Sequence, residues 1–140
     1  MQDSINIALR FLKFRPRTVF EIEKKLKTKR FKDKEIKKVI SVLKKNKLLD
    51  DENFAKMWIR DRNLLKPTGW YLLKSELRKL GVAEKIIEEA LSDQDEEKLA
   101  RQALESKSRL KNVDFAKKAA FLQRRGFKTN VIYKILKNSQ

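Results

Sequence analysis

The chain has 140 residues, of which 36 are Lys or Arg and 19 are Asp or Glu, giving a formal net charge of +17. There is no Cys and no His, so disulfides, thiolate metal sites and the commonest general base and metal ligand are excluded. Only 3 Gly and 2 Pro punctuate it, which disfavours a turn-rich β fold and favours helices joined by short connections.

No apolar run is long enough to cross a membrane, and Met1 to Leu12 lack the layout of a signal peptide. A cytoplasmic protein is expected. The charge excess points to a polyanion, and nucleic acid is the usual one.

Taken in chain order, the apolar residues recur with helical spacing. Ile5, Ala8, Leu9 and Leu12 form the first stripe, and Ile36, Val39, Ile40 and Leu43 a later one. Phe54, Ala55, Trp58, Ile59 and Arg62 share a face, as do Leu99, Ala100, Ala103 and Leu104. Thr18 and Glu21 have the spacing of a capping box. Asp33, Asp50 and Asp114 each precede an apolar stripe and can cap it, with Leu49 and Phe54 placed as a hydrophobic staple. The predicted helices are 4–13, 19–29, 34–46, 51–64, 69–79, 84–91, 95–108, 115–124 and 129–138.

An internal repeat organises these elements. Leu26, Phe31, Ile36 and Ile40 are spaced by five, five and four, and so are Leu77, Val82, Ile87, Leu91 and Leu122, Phe127, Ile132, Leu136. The residue before the second member is Arg30, Gly81 and Gly126 in turn. A glycine there can take the left-handed conformation that ends a helix; Arg30 implies a unit that closes differently. An Ala and an aliphatic four residues later precede each set: Ala8 and Leu12, Ala55 and Ile59, Ala100 and Leu104. The fold class is therefore all-α: three tandem three-helix repeats, 1–49, 50–94 and 95–140, stacked as an elongated, curved array.

Charge is divided unevenly. The first unit has 16 basic and 5 acidic residues, the second 8 and 9, the third 12 and 5. Acid gathers at Glu84, Glu88, Glu89, Asp93, Asp95, Glu96 and Glu97. A protein that touches both nucleic acid and another protein can use such a pattern.

The candidate contact residues follow from local density. Arg15 and Arg17 flank Pro16 before a helix start, where a guanidinium can grip a phosphate or carboxylate with two prongs. Lys24, Lys25, Lys27, Lys29 and Arg30 form a basic run, and Lys117, Lys118, Arg124, Arg125 and Lys128 its counterpart. Arg62 and Lys66 complete the set. Thr18, Asp50, Asp51, Gly69, Gly81 and Gly126 read as caps and turns.

Lys66-Pro67-Thr68-Gly69 lacks both the glycine-rich lead and the ending of a phosphate loop, so an inter-helix turn is expected. Trp70 and Tyr71 after it are expected in the core rather than stacked on bases. No metal site and no cofactor site is assigned. Without His, Cys, a phosphate loop or a carboxylate constellation, an enzyme is not expected.

The combination resembles the RecX regulatory proteins. Its carriers are Leu49-Asp50-Asp51-Glu52-Asn53-Phe54-Ala55, Trp58, Arg62, Lys66-Pro67-Thr68-Gly69 and Glu76-Leu77-Arg78-Lys79-Leu80-Gly81-Val82. Arg15-Pro16-Arg17-Thr18 with Glu21, Ile22 and Leu26 adds the first unit; Lys118, Phe121-Leu122 and Arg124-Arg125-Gly126-Phe127 add the third. Arg30, in place of a glycine, and a start almost at the first helix depart from the pattern.

The resemblance implies a regulator that binds the RecA nucleoprotein filament along its groove. It would restrain RecA ATP hydrolysis, strand exchange and co-protease activity, and would also bind single- and double-stranded DNA. A monomer is expected. The alternative reading is a sequence-specific helix-turn-helix regulator of DNA, against which the tandem array argues.

Overall fold

The computed structural model describes residues 1–107 and 113–138. Among them there are helices and no strand: α1 Gln2–Phe14, α2 Val19–Thr28, α3 Asp33–Lys45, α4 Asp51–Leu65, α5 Trp70–Lys79, α6 Glu84–Leu91, α7 Glu96–Glu105, α8 Phe115–Arg124 and α9 Thr129–Asn138. The predicted helices all form, with ends moved by up to three residues; the predicted end of α7 at 108 lies outside the described residues.

Local chemistry sets most of the starts. Thr18 and Glu21 make a full capping box at α2. Asp50, Asp95 and Asp114 each accept the N–H three residues on, at 3.1, 3.2 and 2.9 Å. Asp33 does not do this. Lys32, in extended conformation, occupies the cap position, and Asp33 is the first helical residue, where its charge meets the helix dipole instead.

The helix ends share one closure. Phe31 N–H donates to Leu26 O, Val82 to Leu77 O and Phe127 to Leu122 O, each at 3.1 Å. The residue before each donor has a left-handed backbone: Arg30 at φ 69°, Gly81 at 83° and Gly126 at 91°. Arg30 therefore adopts the same turn as the glycines, contrary to the expectation that its unit closes differently. Lys47, at φ 60°, ends α3 similarly, with Leu48 N–H on Leu43 O at 2.8 Å.

The core is divided, not central. Ala8, Ile22, Leu26, Ile36, Val39, Ile40, Leu43 and Leu49 form one buried cluster within α1–α3 and the segment after it. Phe54, Ala55, Ile59, Leu73, Leu77, Val82, Ile87 and Leu91 form a second within α4–α6. Ala100, Ala103, Phe121, Leu122, Phe127, Ile132, Ile135 and Leu136 form a third within α7–α9. The apolar repeat residues fall in these clusters, with Phe31 only half-buried.

The accessible surface is 9547 Å². A compact monomer of 16.6 kDa would expose roughly 7,600 Å². The excess is what a row of small cores produces. The fold is all-α, built of tandem helical repeats.

Candidate nucleic-acid and partner interface

The basic residues singled out in the sequence have different fates, and the junctions between units decide them. Where the second helix of one unit begins, the next unit is bonded to it. At the first junction Thr18 Oγ1 donates to Leu80 O at 2.6 Å, and Val19 N–H donates to Asp51 Oδ1 at 3.0 Å. At the second, Gly69 N–H donates to Arg125 O at 2.7 Å, Tyr71 N–H to Gly126 O at 2.9 Å, and Trp70 N–H to Glu96 Oε1 at 3.0 Å. Asp51 and Glu96 are both first residues of a unit's leading helix. Each satisfies a free N–H at the start of a helix in the preceding unit.

Close packing accompanies these bonds. A Cβ on Gly81 would overlap Phe20, one on Gly126 would overlap Leu72, and one on Gly69 would overlap the Gly126–Phe127 backbone. Trp70 packs against the second core cluster, as expected, while Tyr71 is 57% exposed and does not.

Several candidate cations are consumed by this architecture. Arg15 pairs with Glu21, and the Arg17 guanidinium lies 3.6 Å from the same carboxylate and 3.7 Å from the centre of the Phe11 ring. The two-pronged grip anticipated for Arg15 is thus filled by the chain's own Glu21. Burial pulls Arg17 below its ordinary value, with Arg15 adding to the effect.

Arg62 holds Glu76 through two bonds of 2.9 and 2.7 Å, and Trp58 Nε1 donates to that carboxylate at 2.9 Å. Burial alone would raise Glu76; the bonds from Arg62 and Trp58 outweigh it and hold the group below the usual carboxylate range. Arg125 donates to Pro67 O at 2.6 Å and to Thr68 Oγ1 at 3.1 Å across the second junction, and burial lowers it. The Lys128 amino group sits 4.3 Å from the Trp70 ring, and that of Lys25 sits 5.1 Å from the Phe11 ring.

The others face outward. Lys24, Lys27, Lys29 and Arg30, on α2 and the turn after it, are exposed. So are Lys66, Lys117 and Arg124, while Lys118 is half-buried. These exposed groups are the ones positioned to meet an anion without breaking an internal bond.

Sequence reasoning read Asp51 as a cap at its own helix start and Glu96 as part of the acidic stretch, and missed that both bond across the junctions. Burial raises Asp51 and, independently, Glu96 above the usual range, although each accepts a backbone bond. Their matched register in the repeat was the available signal. The acidic stretch is also partly neutralised: Glu84 binds Lys74 at 2.7 Å and Arg78 at 2.9 Å, bonds that lower it, and Glu97 binds Lys134 at 2.7 Å. Among the described residues no group of three or more acidic side chains is placed to hold a metal ion, and no helix is long and apolar enough to cross a membrane.

A tandem row of three-helix units, bonded at repeated junctions and basic on its outward α2 surface, defines a modular helical repeat protein. The comparisons with known proteins specify which. The family models for RecX match here, the first three-helix domain at residues 5–43 and the second at 50–91. The regulatory protein RecX of Prosthecochloris aestuarii is 44% identical over 66% of this chain and 61% of its own, so that match spans about three fifths of the relative. The one from Mycolicibacterium smegmatis is 33% identical over 94% of this chain and 76% of its own. The crystal structure of RecX from Lactobacillus salivarius superposes with a TM-score of 0.82 at 25% identity, covering 98% of this chain and 94% of that one. The chain belongs to the RecX family, whose members are named regulatory proteins.

Proposed function

We propose that the chain modulates the RecA nucleoprotein filament, chiefly by inhibiting its ATPase, recombinase and co-protease activities. It binds single- and double-stranded DNA as an accessory, and works as a cytoplasmic monomer without catalysis or cofactor. The observation that carries this reading is the family membership, extending over nearly the whole chain in relatives named regulatory proteins.

The geometry supports it in a second way. An extended row of units can lie along a polymer and bridge its subunits, and the exposed lysines of α2 can face phosphates. Inhibition then follows from higher affinity for one filament state than another.

The test is RecA ATPase on single-stranded DNA, titrated with the chain and with a Lys24→Glu, Lys27→Glu, Lys29→Glu variant. These positions are exposed, so the fold survives the change. Suppression by the wild type and weaker suppression by the variant are expected. A chain that leaves ATPase and filament length unaltered overturns the reading. Selection of a defined site from random duplex DNA would favour a helix-turn-helix regulator instead.

A further inference from the structure

Two cavities open on either side of α4. The first, about 1000 Å³, lies between the end of α1, the α3–α4 segment and α4; among its lining residues are Phe14, Lys13, Lys47, Leu48, Met57 and Asp50. The second, about 490 Å³, lies between α4, the end of α6 and α7; its lining includes Ile59, Leu64, Leu99, Lys98, Asp93 and Asp95.

They occupy the same place in the repeat. Asp50, Asn53, Phe54 and Met57 line the first from α4 and its cap, and Asp95, Lys98, Leu99 and Gln102 line the second from α7 and its cap in matching register. Lys56 and Arg60 line both. The cavities therefore adjoin at these two residues of α4, and together make a groove lined by the end of α1, by α4 and by α7.

The groove is apolar at the lips. Phe14 is 80% exposed and lines the first cavity, and Leu64 is 77% exposed and lines the second. It is also graded in charge. The first stretch has Lys13, Lys47 and Lys56 against the carboxylate Asp50, together with Arg15 and Arg17 already paired with Glu21 and Arg60 paired with Asp61. The second has Lys56, Arg60 and Lys98 against Asp93 and Asp95. Lys13, Lys47 and Lys56 make no ion pair among the described residues, so they remain available to an incoming anion.

We propose that this groove binds an extended polypeptide segment with an acidic part and an apolar part. The acidic part lies against Lys13, Lys47 and Lys56, and the apolar part runs past α4 onto Leu64 and Leu99. The charge gradient selects this occupant over nucleic acid. A nucleic-acid strand carries uniform negative charge and would set phosphates against Asp93 and Asp95, whereas a peptide can change character along its length.

The proposal deepens the reading above by naming a protein-binding face distinct from the exposed lysines of α2. It rests on that reading only for the identity of the protein that supplies the segment.

The experiment uses the full chain and a display library of random 12-residue peptides, followed by anisotropy with the enriched peptide. Expected is enrichment of peptides with clustered Asp or Glu next to aliphatic residues. Their affinity should fall about tenfold or more in Lys56→Glu, as for a central contact, remain unchanged in Lys24→Glu, and resist competition by oligo-dT. No enrichment, enrichment without carboxylates, an unaltered affinity in Lys56→Glu, or displacement by oligo-dT each overturns the proposal. RecA ATPase with Lys56→Glu separates the two ideas: peptide binding lost with suppression intact leaves the groove assignment standing and removes the filament as its source. Suppression absent from the wild type too removes the functional reading alone.

Discussion

Asp51 sits where an acid is both useful and costly. Its carboxylate accepts the Val19 N–H at 3.0 Å, yet burial raises its affinity for a proton in the folded chain. Between the ordinary carboxylate range and the raised value, the folded chain binds more protons than the unfolded one. The stabilising contribution is complete below the ordinary range and is lost as pH rises through the raised value. Glu76 behaves oppositely: held low by Arg62 and Trp58, it contributes fully above the ordinary range and loses that contribution as pH falls through its lowered value.

The substitution Asp51→Asn keeps a side-chain oxygen for Val19 and removes the titration. Urea midpoints of variant and wild type, compared at each pH, cancel the Glu76 effect. The two should coincide in acid, and the variant should become the more stable above neutral pH. A variant that is the weaker of the two at neutral pH would mean that the negative charge itself, favoured at a helix start, outweighs its burial.

At the scale of the element, the turn that ends each second helix shows what glycine is for. Arg30 makes the turn with the same hydrogen bond as Gly81 and Gly126, so the bond does not demand glycine. What demands it is the neighbouring unit: Gly81 lies on Phe20 and Gly126 on Leu72, with no room for a Cβ. Arg30 is exposed and needs no such clearance. Two opposite outcomes follow. Arg30→Gly relieves a left-handed side-chain conformation and should stabilise by about 0.5–1 kcal/mol. Gly69→Ala forces a methyl into the Gly126–Phe127 backbone and should cost about 2–3 kcal/mol. Equilibrium denaturation of both variants checks the pair, and a harmless Gly69→Ala would mean that the second junction is loose.

The helices were legible in the sequence because their signals are local: apolar spacing of three and four, with Thr18, Asp50 and Asp114 in cap positions. Asp33 was misplaced because a cap and a first helical residue differ by one position and by backbone conformation, which composition does not encode. The site was less legible. Arg62 and Glu76 are 14 residues apart and Arg125 and Pro67 are 58 apart, so their pairing depends on how helices and units pack. Density of charge marks such arginines and free lysines alike.

For the whole molecule, the division between tied and free cations predicts how salt acts. Electrostatic attachment to duplex DNA weakens with salt in proportion to the phosphates neutralised, each adding about 0.9 to the slope of log affinity against log salt. Lys24, Lys27 and Lys29 are exposed, whereas Arg62 and Arg125 are bonded inside the array. Replacing the three lysines with alanine should lower the slope by up to about 2.7 and leave the unfolding midpoint nearly unaltered. Replacing Arg125 with alanine should do the reverse: it frees Pro67 O and Thr68 Oγ1 at the second junction, lowering the midpoint while the salt slope of the folded protein stays the same. Anisotropy on a labelled duplex across a salt series, paired with urea denaturation, reads both quantities. If the Arg125 variant flattens the salt slope as much as the triple lysine variant does, the contact with nucleic acid lies at the junctions and not on the outward face of α2.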